Sequence, residues 1–132
     1  MKIKRIVAGI SILFGIGALW GAQQVGFKRT VLQQGDASVS GREFVTALAE
    51  FEPGAEVGRH THPGDEIGYI LEGTVTLTQE GKPAATLGPG KAFHIPAGTI
   101  HNATNSGSKP ARILATYIVE KGKPLATPAS AK

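Results

Sequence analysis

The chain has 132 residues, which is enough for one compact domain and too few for two of ordinary size. It contains no cysteine, so disulfides, thiolate metal sites and thiol catalysis are excluded, and any metal must be held by nitrogen and oxygen ligands. The formal charge is +4, but three of the fourteen Lys and Arg lie in the first five positions and the remainder is nearly neutral. Because nucleic-acid binding needs a concentrated basic face, no nucleic-acid partner is expected. The remaining cations, Arg29 among them, are predicted to be solvated.

Residues 1–22 have the pattern of a secretory signal. The cationic start MKIKR precedes an uncharged apolar run of seventeen residues, 6–22. This run is shorter than the ~20 residues that a membrane-spanning helix usually needs. We therefore predict export to the periplasm, or secretion, from a bacterial cell. Cleavage after Ala18 or Ala22 would place a large residue at the third position back, so an uncleaved membrane anchor facing the periplasm is the alternative.

Short β-compatible runs follow, separated by turns rich in Gly and Pro. The runs are 27–34, 42–51, 67–71, 74–78, 84–87, 92–95 and 112–119. Many short strands at nearly regular spacing, with no amphipathic helix after residue 26, predict an all-β sandwich or barrel.

This pattern divides the chain into four parts. Residues 1–22 are the signal or anchor, 23–41 an amino-terminal arm and strand, and 42–120 the β-barrel. Residues 121–132 are rich in Pro, Ala, Ser and Lys and are predicted to be a flexible tail.

Two histidines and a carboxylate lie within seven residues at the start of the barrel: His60, His62 and Glu66. Residues two apart on an extended strand point to the same face, so the imidazoles share one side. Pro63 and Gly64 interrupt the strand and let the chain return with Glu66 facing them. Asp65 is the alternative carboxylate, although a loop position is expected for it.

A third histidine, His101, follows the turn-forming residues 96–98, which can bring it to the same end of the barrel. Three imidazoles and one carboxylate suit a borderline divalent metal, and the absence of thiolates argues against a closed structural zinc site. In an octahedral ion, four protein ligands leave about two positions open. The sequence predicts one divalent transition metal held by His60, His62, Glu66 and His101, and leaves Fe, Mn, Ni, Cu and Zn undecided.

Strand parity assigns directions to the neighbours of these residues. Gly68 and Ile70 share the face of Glu66, and a glycine beyond a ligand is expected to leave open space for a substrate or dioxygen. Tyr69 and His94 are expected to face the other way. Arg59 and Glu56 are expected to be exposed.

The spacing of both histidine stretches resembles the cupin superfamily. Gly54, His60, His62, Glu66 and Gly73 match the first cupin motif. The second motif is matched by Gly90, Pro96, Gly98, His101 and Asn105, and sixteen residues separate the two motifs. The resemblance covers about residues 40–120. It implies a small jelly-roll β-barrel, as in single-domain bacterial cupins, with the four predicted ligands holding the metal.

The resemblance to small quercetinase-like cupins implies a mononuclear metal oxidoreductase of the dioxygenase kind. The metal would bind an enolic or phenolic small molecule and dioxygen, and Glu66 would take the substrate proton. Its apolar pocket is expected from Phe51, Ile70, Phe93, Ile100 and Leu114. A non-catalytic ligand-binding or sensor cupin with a stabilising metal, or an isomerase or lyase, is the alternative. A homodimer formed through strand 27–34 is also expected.

Overall fold

Two five-stranded antiparallel sheets make up the computed structural model, which describes residues 24–130. Its ten strands are β1 (Phe27–Asp36), β2 (Arg42–Phe51), β3 (His60–Thr61), β4 (Gly64–Glu72), β5 (Val75–Gln79), β6 (Ala85–Leu87), β7 (Ala92–Ile95), β8 (His101–Asn105), β9 (Ala111–Glu120) and β10 (Thr127–Pro128). Residues 24–130 contain no helix that is long and apolar enough to cross a membrane. The predicted signal or anchor lies outside the described residues.

The chain crosses repeatedly between the sheets. One sheet has the order β1-β2-β9-β4-β7 and the other β10-β3-β8-β5-β6. After β4, strands β5 and β6 lie in the second sheet, and β7 to β10 then alternate between the first sheet and the second, which gives a double-stranded β-helix. This architecture confirms the predicted all-β jelly-roll barrel.

The core fills the space between the sheets because alternate residues of each strand point inward. In β9 these are Ala111, Ile113, Ala115, Tyr117 and Val119, all at most 3% exposed. Burial of a large apolar side chain contributes about 1.5–3 kcal/mol, so this face supplies much of the stabilisation.

The amino-terminal strand is part of the same sheet as the barrel. β1 pairs antiparallel with β2 from Phe27↔Phe51 to Asp36↔Glu43, with an irregularity between Val31 and Gln33. The predicted strand 27–34 is therefore present within β1, which is an edge strand of its sheet in residues 24–130.

The carboxyl-terminal segment differs from the predicted flexible tail. β10 pairs with β3, the Ala129 amide donates to the Arg59 carbonyl, and Leu125 packs against the core. The segment is ordered by backbone pairing with the exposed edge of β3 and by burial of one leucine. Composition alone predicts a tail here because neither cause is visible in a run of Pro, Ala and Ser.

Candidate metal centre

The structure brings the four predicted residues together between the sheets. His60 lies on β3, Glu66 on β4 and His101 on β8, and His62 follows β3 directly. All four are at most 7% exposed. One ligand atom from each lies within 4.8 Å of the others.

Backbone pairing sets this convergence. His60 and His101 are directly paired residues of β3 and β8, and their ring centroids are 4.1 Å apart. The Nε2 atoms of His60 and His62 are 3.1 Å apart, and Glu66 Oε2 is 3.1 Å from His62 Nε2 and 3.0 Å from His101 Nε2. The expected same-face arrangement of the first two histidines is therefore present.

Each imidazole has its Nδ1 fixed by a backbone carbonyl. His60 Nδ1 donates to the Gly58 carbonyl at 2.7 Å, His62 Nδ1 to Leu125 at 2.6 Å, and His101 Nδ1 to Thr99 at 2.9 Å. A carbonyl can only accept, so each Nδ1 carries a hydrogen. In the neutral ring the Nε2 lone pair then points into the cluster, which is the tautomer a metal needs.

His60 is neutral in the folded protein. Burial, together with the nearby charge of His101, lowers the pKa of His60 to about 3 from its ordinary 6.5. With Nδ1 donating to Gly58, the lone pair of the neutral ring is on Nε2 and faces the other ligand atoms.

Glu66 is ionised. Burial by itself raises the pKa of the carboxyl, but hydrogen bonding with His101 and His62 outweighs burial and holds the pKa below its usual range. A buried carboxylate is costly unless cations or donors surround it. Because Nδ1 of His62 and of His101 already donates to a carbonyl, the hydrogen bonds to Glu66 need a second hydrogen on each Nε2, which a bound metal would replace. The cluster offers one carboxylate and converging imidazole nitrogens, and this donor set suits a cation.

The spacing of the ligand atoms fits a transition-metal ion. Metal–nitrogen and metal–oxygen bonds of about 2.1 Å at right angles place neighbouring ligand atoms about 3.0 Å apart. The three short separations in the cluster are 3.0–3.1 Å. These four side chains could hold one divalent ion.

The sequence of the barrel matches a known domain family. The family model described as "Cupin domain" matches residues 47–117, more than half of the chain. The chain is a cupin.

Among curated proteins, this cupin is similar to the beta-alanine degradation protein BauB of Pseudomonas aeruginosa. The two are 39% identical over 72 residues, which are 53% of this chain and 76% of that protein. The chain is also 32% identical to the rhicadhesin receptor of Pisum sativum over 76 residues. That match covers 35% of the receptor.

Among solved structures, the DMSP lyase DddQ from Ruegeria pomeroyi superposes with a TM-score of 0.65 at 26% identity. The match covers 79% of this chain and 52% of that one. The similarity in fold thus extends over more of the chain than the 47–117 region that matches the family model.

A small cavity adjoins the candidate ligands of this cupin. About 20 Å³ is accessible to the centre of a water molecule. A single water needs about 10–15 Å³ on this measure, so the free space matches one or two water-sized molecules. His60, Glu66 and His101 contribute to its wall, and most of the remaining wall is apolar.

The open space expected beside Gly68 is filled. A Cβ on Gly68 would lie 2.1 Å from Cζ of Phe93, because the phenyl ring lies over the glycine. Of the five expected pocket residues, Phe51 and Phe93 line the cavity; Ile70, Ile100 and Leu114 do not. Alternation along the strand predicts which face of the sheet Gly68 lies on. It does not predict that the Phe93 ring of the neighbouring strand covers that position.

Tyr117 is a site residue that sequence analysis missed. It is directly paired with Glu66 across β9 and β4, is 1% exposed, and its ring centroid is 4.7 Å from that of His62. Burial, together with the negative charge of Glu66, raises the pKa of Tyr117, so the hydroxyl keeps its proton. The alternation of apolar residues in β9 already indicated an inward direction, but not the position opposite Glu66.

Arg29 was predicted to be solvated, and that prediction is wrong. Arg29 is half-buried on β1 and lines the cavity. Its Cζ is 5.6 Å from the centroid of the Tyr117 ring and 5.5 Å from that of Phe27. Among residues 24–130, Arg29 is the only Lys or Arg that lines the cavity together with the candidate ligands.

The residues expected to face away from the metal do so. His94 Nε2 donates to Asp65 Oδ1 at 2.8 Å, and both side chains are at least half exposed. Asp65 lies on β4 rather than in the expected loop, and its outward direction makes it no alternative to Glu66. Tyr69 is 45% exposed on the outer face. Glu56 is exposed and accepts from Asn102 at 2.8 Å.

Proposed function

We propose that this cupin is a mononuclear metal-dependent oxidoreductase that acts on a small enolic molecule. The observation that carries the proposal is the convergence of three imidazole nitrogens and one carboxylate oxygen within 4.8 Å, all buried beside a cavity. His60, His62, Glu66 and His101 would hold the ion. When bound, a redox-active divalent ion supplies open coordination positions and the ability to exchange single electrons.

The cavity supports a small substrate. The cavity has room for one or two water-sized molecules, which is less than a phenol needs, and Phe93 closes the space above Gly68. Of the two classes expected from the sequence, a small enolic molecule fits better than a phenolic ring. The apolar wall excludes bulk water and strengthens the electrostatic effect of the charges inside.

The chain's own residues have separate tasks in this proposal. Three backbone carbonyls hold the imidazoles in the tautomer that exposes Nε2. Glu66, held as the carboxylate by its histidine partners, would serve as a metal ligand and as the group that takes a proton from the substrate.

Lyase chemistry at the same centre is the second candidate. It is favoured by the 26% identity and TM-score of 0.65 to a solved DMSP lyase. A lyase needs a Lewis acid but no change of metal oxidation state, so the two candidates differ in the metals that support turnover. A non-catalytic cupin would turn over nothing with any metal.

Metal exchange distinguishes the oxidoreductase, the lyase and the non-catalytic cupin. The metal-free protein is loaded separately with Fe²⁺, Mn²⁺, Ni²⁺, Cu²⁺ and Zn²⁺, and oxygen uptake is followed with a panel of small enols and, for size, catechols. We expect uptake with a redox-active ion and a small enol, and none with Zn²⁺, which has no redox chemistry. Substrate loss without oxygen uptake, supported by Zn²⁺, would favour the lyase. No turnover with any correctly loaded metal would overturn both enzymatic proposals.

A further inference from the structure

The cavity wall has an uneven charge balance once its metal is counted. Arg29 contributes +1 and Glu66 −1, and the histidines are neutral when their Nε2 atoms face a metal. Within residues 24–130, no other charged side chain lines the cavity. A divalent ion would leave the site with a net charge of about +2 in surroundings of low dielectric constant, where isolated charge is costly. An anion would balance it.

Arg29 is held at this wall by features of the fold. It lies on β1 directly opposite Ala49 of β2, and the small side chain of Ala49 leaves space for the arginine to extend inward. The cation lies over the face of Tyr117, at a distance typical of cation–π contacts. Arg29 and Glu66 both interact with the Tyr117 side chain. The tyrosine therefore links the arginine to a candidate metal ligand.

We propose that Arg29 is an anion-binding residue, and that the ligand of this site is a small carboxylic acid whose carboxylate lies between Arg29 and the metal. This inference rests on the metal centre of the proposed function and adds a carboxylate group to its small enolic substrate, so formate and acetate probe that group alone. Arginine suits the task because its planar guanidinium matches the geometry of a carboxylate.

The cavity limits the size of this acid. The free volume of about 20 Å³ corresponds to one or two water-sized molecules, which is close to the size of formate. Formate is therefore the first probe, and acetate the second. Formamide is a neutral molecule of nearly the same shape as formate and reports what size alone contributes.

The test is a titration of Co²⁺-loaded protein, with the visible absorption of Co²⁺ as readout, so no turnover is needed. Formate is titrated into the wild type and into the variants Arg29→Met, Arg29→Lys and Lys28→Met. Lys28 is the matched control, because it is the adjacent, exposed cation of the same strand. Removing a charge-assisted contact is expected to weaken formate binding about 10- to 100-fold in Arg29→Met. Lys28→Met should stay within about twofold, because an exposed charge is screened, and Arg29→Lys should be intermediate.

The outcomes separate this inference from the function on which it rests. Wild-type protein that takes up Co²⁺ but binds formate no better than formamide would overturn the inference and leave the metal centre intact. Equal formate affinity in wild type and Arg29→Met would do the same. If Arg29→Met fails to fold, the comparison of Arg29→Lys with Lys28→Met decides: equal affinity overturns the inference. Protein that takes up no Co²⁺ would overturn both.

Discussion

The ring of Phe93 occupies the space that the missing side chain of Gly68 leaves. The two residues are directly paired across β4 and β7, and a Cβ on Gly68 would lie 2.1 Å from the ring. This is far inside van der Waals contact. The glycine thus allows an aromatic side chain to close the cavity beside the candidate ligands.

The variant Gly68→Ala should therefore lower the free energy of unfolding. Forcing a methyl group into a packed interior costs about 1–3 kcal/mol, because the ring must move. Urea denaturation of the metal-free protein measures the difference. Gly88→Ala is the control: a Cβ on Gly88 meets nothing within 4 Å, so no loss is expected.

A double-mutant cycle with Phe93→Ala tests the cause. If the ring is what the new methyl group meets, Gly68→Ala should cost clearly less in the Phe93→Ala background than in the wild type. An equal cost in both backgrounds would show that the strain comes from the backbone of β4 instead.

The carboxyl-terminal segment should contribute to metal binding. The Leu125 carbonyl accepts from His62 Nδ1 at 2.6 Å and fixes that ring. Removal of residues 124–132 should lower metal affinity about 10- to 100-fold, the usual effect of losing such a partner. Competition with a chromophoric chelator measures it.

The control for that truncation removes only residues 131–132, which leaves β10 and the Leu125 carbonyl in place. Its metal affinity should equal that of the full chain. If the longer truncation keeps full affinity while its urea midpoint is unchanged, the role assigned to the Leu125 carbonyl is wrong.

The local part of the site was predictable from the sequence. His60 and His62 are two apart, and a strand turns alternate residues to one face, so their direction needs no knowledge of the fold. β7 at Ala92–Ile95 was likewise predicted with its observed bounds, because turn-forming residues flank it on both sides. In contrast, β8 carries His101 and Asn105 on its inner face, and these polar residues hide its strand pattern.

The remaining parts depend on pairing between distant segments. Tyr117 is a site residue because β9 places it opposite Glu66, and Arg29 because β1 places it opposite Ala49. A shift of two residues in either register would keep every side chain on the same face and yet remove these contacts. No local pattern fixes such a register, which is why Arg29 was predicted to be solvated.

The variant His62→Ala should lose most of its metal while keeping its fold. It removes one of four converging ligand atoms, and the loss of affinity should exceed the ~100-fold upper effect of losing a ligand's supporting hydrogen bond. Elemental analysis after dialysis gives the metal content, and circular dichroism reports the fold. His94→Ala is the matched control, because His94 faces outward and its ring donates to Asp65 rather than to a candidate ligand. Equal metal content in the two variants would contradict the assignment.

The metal-free protein should become less stable in mild acid. Burial, with the charge of His101, lowers the pKa of His60 to about 3 from its ordinary 6.5. Between these values the unfolded chain binds a proton that the folded chain does not, so the free energy of unfolding falls as pH falls, by up to about 1.4 kcal/mol per pH unit. Urea denaturation in the presence of EDTA at pH 7, 6 and 5 measures this slope above the range in which carboxylates titrate. His60→Gln removes the titrating group and should flatten the slope, whereas an unchanged slope in that variant would assign the effect to another group.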